Sequence, residues 1–151
     1  MTTLHFSIFI NAPREKVWHA MLDDASYTEW TKPFNPGSYF EGNWEQGSEM
    51  KFLGTDENGK PNEGGMLSRI MVNRPFEFIS IEHFGMIQNG VVDTTSDMVK
   101  KWTPAFENYS FVEKDGGTEV KVSVDVADEF KDEFSGMWPK ALELLKVVAE
   151  R

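Results

Sequence analysis

The chain contains no cysteine, which excludes disulfides, thiol nucleophiles and thiolate metal sites. It has no apolar run long enough to span a bilayer. Its N-terminus lacks the basic stretch and uninterrupted apolar core of a secretory signal. The expectation is a cytoplasmic protein with no membrane insertion. Basic residues are scarce, 15 Lys and Arg against 25 Asp and Glu, for a formal net charge of −10. Such a surface repels phosphate backbones, and the one tight basic pair, Lys100-Lys101, is too small to reverse that, so nucleic acid is excluded as a partner. The acidity serves solubility or meets a basic face on a protein. No phosphate loop, dinucleotide-binding glycine pattern or nucleophile elbow occurs. The histidines His5, His19 and His83 lie far apart without HxH or HxxxH spacing. The sequence therefore predicts no metal, no cofactor and no catalytic residue.

Aromatic residues are plentiful, at 13 % of the chain with 12 Phe and 5 Trp. That is generous for one core and leaves rings to line a cavity. A chain of 151 residues fits one domain spanning 1–151. Residues 3–10 alternate as a half-buried strand, with Leu4, Phe6, Ile8 and Ile10 on one face. Pro13 suits a first helical turn, with Asn11 or Ala12 as cap, and Val17, Trp18, Met21 and Leu22 give that helix an apolar face. A second short helix over 25–31 carries Tyr27 and Trp30, and Pro33, Pro36 and Gly37 force a loop.

Strands are predicted over 38–44, 48–54, 65–73, 76–84, 105–113 and 118–126. The last pair is joined by Glu113-Lys114-Asp115-Gly116-Gly117, a strong hairpin signal because its glycines allow positive φ. Val120, Val122, Val124 and Val126 form an inner face. The stretch 85–104 reads as a long connection packed over one end of the sheet. The final segment, 128–150, places Phe130, Phe134, Met137, Trp138, Ala141, Leu142, Leu145 and Val148 at helical spacing, with Asp128 as its cap and a kink or break at Pro139. This order predicts an α+β architecture: a curved antiparallel sheet of about six or seven strands gripping a long C-terminal helix, with two short helices after the first strand.

Four motifs carry a resemblance to a known family: Asn11-Ala12-Pro13-x-Glu15-x-Val17-Trp18, Glu107-Asn108-Tyr109-x-Phe111, Gly117-Thr118-Glu119-Val120 and Trp138-Pro139-Lys140-Ala141-Leu142. In this order the chain resembles the SRPBCC superfamily, the START and birch-pollen-allergen helix-grip fold. Its nearest branch is similar to the C-terminal domain of the activator of heat-shock-protein ATPase. The resemblance implies the helix-grip fold. It leaves function open among lipid carriers, hormone receptors, cyclase-type enzymes and a co-chaperone domain, which share no catalytic motif.

The candidate site follows from strand alternation. His83 shares a face with Ile79 and Ile81, and Glu107 shares one with Tyr109 and Phe111. Both polar groups then face the interior from neighbouring strands. They serve as the contact for a ligand head group, as an acid–base pair, or as a satisfied polar pair that fixes strand register. Asn108 is a further candidate for orienting a polar group. The predicted apolar walls are Trp30, Phe34, Trp44, Phe52, Ile81, Trp102, Phe130, Phe134, Met137 and Trp138, each of which ordinary core packing would equally explain. The function expected is binding of a small hydrophobic or amphipathic molecule such as a lipid. The alternatives are an interaction domain acting on a chaperone ATPase and, third, a cyclase- or hydrolase-type enzyme.

Overall fold

The computed structural model describes the backbone of residues 1–151 and the side chains of all but residues 62 and 63. Strand β1 (Thr2–Ile10) leads into helices α1 (Arg14–Leu22) and α2 (Asp24–Trp30). There follow β2 (Tyr39–Glu41), β3 (Glu49–Thr55), β4 (Pro61–Arg74), β5 (Phe78–Gln88), β6 (Val91–Asp93), the short helix α3 (Asp97–Lys100), β7 (Ala105–Lys114) and β8 (Gly117–Val126). A single 3-10 turn, Asp128–Phe130, precedes the long helix α4 (Lys131–Ala149). The eight strands form one antiparallel sheet in the order β1-β8-β7-β5-β4-β3-β2, with β6 pairing back onto β5. Helix α4 packs against β1 and α2, so the sheet curves around it.

The valine face of β8 is the inner one, with Val120 wholly buried and Val122 nearly so. The β7–β8 turn is made by Asp115 and Gly116, both at positive φ (49° and 81°), the conformation that suits the twist of a two-residue hairpin. Two indoles lock the short helices in place. Trp30 Nε1 donates to the Met21 carbonyl and Trp44 Nε1 to the Leu22 carbonyl, each at 2.9 Å, satisfying acceptors that a helix end leaves without partners.

The structure corrects the sequence reading in four places. The stretch 85–104 is not one long loop. Strand β5 continues to Gln88, turns at Asn89-Gly90 (φ 51° and 77°) and returns as β6 before α3. Asn-Gly is itself a strong hairpin signal, but the mixed composition around it hid the strand. Pro13 takes the N-cap position with an extended ψ of 156°, so α1 starts one residue later than predicted. Asp128 does not cap α4; its carboxylate accepts from the Thr2 hydroxyl at 2.6 Å and lies beside the terminal ammonium. Finally, α4 runs unbroken through Pro139. Trp138 lies buried on one side of the proline and Ala141, Leu142 and Leu145 on the other. This packing outweighs the lost hydrogen bond.

Candidate functional site

The concave face of the sheet is apolar apart from Thr118, which donates to the Ala12 carbonyl, and one polar cluster. Ile79 and Ile81 on β5 are wholly buried, and His83 continues their row at 3 % exposure. On β7 the inward row is Ala105, Glu107, Tyr109 and Phe111. Strands β5 and β7 are direct neighbours, with Ile81 opposite Glu107 and His83 opposite Ala105. His83 Nε2 lies 3.0 Å from Glu107 Oε1. The Tyr109 hydroxyl donates to Glu107 Oε2. The other imidazole nitrogen, Nδ1, is 2.6 Å from Ser68 Oγ. Ser68, His83, Glu107 and Tyr109 thus form one hydrogen-bonded chain across three strands.

Ser68 enters this chain through a bulge. The pairing of β4 with β5 runs Leu67↔Gly85 and then Ser68↔His83, with Phe84 as the extra residue. Without the bulge, Ser68 would face Phe84. Bulges re-aim side chains in this way, and alternation alone does not reveal them.

The proton positions follow from satisfaction. Ser68 is wholly buried, and among the described residues its hydroxyl has no partner but His83 Nδ1. With a neutral imidazole, Ser68 donates to Nδ1 and Nε2–H donates to Glu107, so every polar atom is used. A doubly protonated ring would strand the serine proton in a dry site. Serine, histidine and carboxylate stand in the order of a hydrolytic relay. Ser68 Oγ, however, is enclosed, so no substrate atom reaches it in this conformation, and the relay holds Glu107 in place instead.

Tyr27, on α2, approaches the same carboxylate. Burial first, and the charge of Glu107 second, push its hydroxyl far above the usual tyrosine range. Tyr109 is shifted in the same direction, by burial, the Glu107 charge and its bond to that carboxylate. Both tyrosines remain protonated donors at neutral pH.

Rings surround this chain. Phe52 stands edge-on to His83 at 5.9 Å between centroids. Trp30 contacts Tyr27 at 5.6 Å and Tyr109 at 6.5 Å. Trp138 from α4 contacts Tyr109 at 6.2 Å and Phe34 at 4.9 Å. Phe34 also meets Phe134 at 6.3 Å. Its loop is tied to β3 by Asn35, whose side chain donates to the Thr55 carbonyl and accepts from the Thr55 amide. These side chains occupy the space between sheet and helix.

The predicted residues divide accordingly. Trp30, Phe34, Phe52, Ile81, His83, Glu107, Tyr109, Phe134 and Trp138 converge on the concave side, with Met137 half-buried on α4. Trp44 is buried against Phe40 and Phe52. Phe130 is 46 % exposed at the start of α4, and Trp102 follows α3 with no ring contact to the cluster among the described residues. Asn108 points the other way. Its amide donates to Ser123 Oγ at 3.2 Å, on a convex-face groove of about 600 Å³ that His5 and Lys121 also line. It cannot orient a group held with His83, because neighbouring residues on a strand face opposite sides. Ser68 and Tyr27 are the members that the sequence did not reveal. Among the described residues no three His, Asp or Glu side chains stand close enough to hold a metal ion, and no helix is long and apolar enough to cross a membrane.

Solved structures share this architecture. The Aha1 dimer from Colwellia psychrerythraea is 19 % identical, with 99 % of this chain and 97 % of that one covered at a TM-score of 0.71. Protein CV1439 from Chromobacterium violaceum is 18 % identical over 99 % and 97 % of the two chains, at 0.69. ChR145 from Cytophaga hutchinsonii is 21 % identical over 97 % and 92 %, also at 0.69. At these identities the likeness is one of fold. No curated protein matches the chain. The family described as "Activator of Hsp90 ATPase homolog 1-like protein" matches residues 11–150, essentially the whole of the folded chain. With the helix-grip architecture, this makes the protein a member of that branch of the SRPBCC superfamily.

Proposed function

We propose that this protein is a cytoplasmic binding domain for a small hydrophobic or amphipathic molecule, held between the sheet and α4. The observation that carries this reading is the Ser68–His83–Glu107–Tyr109 chain. It is a hydrogen-bonded polar group inside an aromatic enclosure, and the Glu107 side chain retains 15 % of its surface. A polar pair serving only strand register has no need of that opening. Apolar walls with a few convergent polar groups are the usual make-up of a ligand site.

The rings fill the enclosure, so a ligand must displace some of them. The N-terminal half of α4 is the part able to yield. No residue from Lys131 to Met137 is buried, and Pro139 offers no N–H to the turn before it. Swinging this half outward, with Phe134 and Phe34, opens a path to Glu107.

The test is a titration of tryptophan fluorescence with octanol, together with native mass spectrometry of the protein as purified. Trp30 and Trp138 report on the enclosure. Saturable binding at one site, or a co-purified small molecule, is expected. A bare polypeptide with no saturable response would sink the reading.

A second reading, engagement of a chaperone ATPase, has its own observation. The excursion between β5 and β7 exposes Val91 by 68 %, Val92 by 46 % and Met98 by 51 %. Replacing both valines with serine would abolish any stimulation of that ATPase while leaving octanol binding unchanged.

A further inference from the structure

Glu107 is the only charged side chain among the buried and half-buried inward-facing positions of β5, β7 and β8. With His83 neutral, nothing in the enclosure cancels its charge. The ion pairs among the described residues bring it only the His83 imidazole, and no Lys or Arg. Its hydrogen-bond partners, the His83 ring and the Tyr109 hydroxyl, are donors without net charge, and Tyr27 is the other polar group that approaches it. We infer that the enclosure selects a cationic head group, an amine or quaternary ammonium, over a carboxylate or a phosphate. This inference rests on the binding reading above and names its ligand class.

Three features of the site converge on a cation. A carboxylate offers a counter-charge at the one opening of the polar chain. Tyr109 bonds to that carboxylate, Tyr27 approaches it, and Trp30 packs against both of these rings at 5.6 and 6.5 Å; an aromatic face attracts a desolvated cation through its quadrupole. Tyr27 and Tyr109 keep their protons, so the rings stay neutral and the site holds a single negative charge. An anionic head group would be brought next to Glu107 in a dry site, where like charges repel strongly. The acidic surface, with its net charge of −10, adds weaker steering of the same sign.

The experiment compares three ligands of one chain length on the wild-type protein: octyltrimethylammonium, octanol and octanoate, titrated by tryptophan fluorescence at moderate salt. The ammonium should bind ~10-fold or more tightly than octanoate, the order expected when one desolvated cation–π and charge contact is gained. Glu107→Gln keeps the side chain's size and removes the charge, at the cost of turning one of the two acceptors met by His83 and Tyr109 into a donor. It should erase that preference, read within the variant as the ratio of ammonium to octanoate affinity, which a general loss of binding leaves unmoved. Octanoate binding as well as the ammonium would overturn the inference and leave the binding reading intact. A preference that survives Glu107→Gln would assign it to the general surface charge, and so overturn the role of Glu107. Failure of all three ligands to bind would remove the binding reading and this inference together. If Glu107→Gln does not fold, the wild-type head-group series still decides the sign of the selected charge.

Discussion

The two halves of α4 are built differently, and the contrast shows how one helix can be a core element at one end and a lightly packed cover at the other. From Trp138 onward the helix is embedded: Ala141 and Leu145 are wholly buried, and Leu142 and Ala149 nearly so. Its last turn is clamped to the start of the chain. Lys146 donates to the Phe9 carbonyl at 3.0 Å and to Glu150 at 2.5 Å, and Glu150 accepts from the Asn11 amide at 2.8 Å. Those two donors hold the Glu150 carboxyl below its usual range. The first half has no such anchors. Phe134 and Met137 are half-buried, Phe130 is largely exposed, and a methyl added at Gly136 would meet nothing within 4 Å. One sequence-continuous helix thus supplies a core element and a lightly packed half, the flap of the proposed binding reading, separated by a proline.

The sharpest way to break this comparison is to empty the embedded half. Trp138→Ala should cost about 3–5 kcal/mol in urea denaturation, the range for a buried large aromatic. Leu145→Ala should cost about 2–5 kcal/mol. If either loss is under about 1 kcal/mol, the C-terminal half is not the anchor described here.

Alkali tests the enclosure beneath the helix. Tyr27 and Tyr109 hold their protons in the folded protein well above the range where the unfolded chain releases them. Above about pH 10 the unfolded state therefore binds fewer protons, and stability falls as pH rises further. Their contribution is fully present below that pH. Two of the three tyrosines should ionise only together with loss of the circular dichroism of the fold. Ionisation of all three in an intact fold would contradict the enclosure.

The flap should respond weakly, and in the opposite sense. Gly136→Ala is expected to stabilise by about 0.5–1 kcal/mol, since it removes backbone freedom at an open helical position. It should also slow ligand entry measured by stopped-flow fluorescence. An unchanged entry rate would separate the flap from the path to Glu107. Phe130→Ala, at the exposed end, should change stability by no more than about 0.5 kcal/mol.

Much of the site was legible because β-structure is periodic. His83 in step with Ile79 and Ile81, and Glu107 in step with Tyr109, placed both on the concave face before any contact was known. Asn108 failed as a candidate under that same rule, since it is one step out of phase. Ser68 escaped because a bulge at Phe84 shifts the register by one residue, and register is a property of two strands. Tyr27 escaped because its approach to Glu107 depends on how α2 lies across the sheet.

The sequence by itself determined the order of elements, the inward face of each clear strand and the apolar stripe of α4, because these are local periodicities of 2 and 3.6 residues. Only the tertiary structure decided the rest. It carried α4 through Pro139, brought Ser68 to His83, and set rings from α2, β3 and α4 against the chain formed by His83, Glu107 and Tyr109. Each of these rests on contacts between residues distant in sequence, whose energy no local pattern encodes.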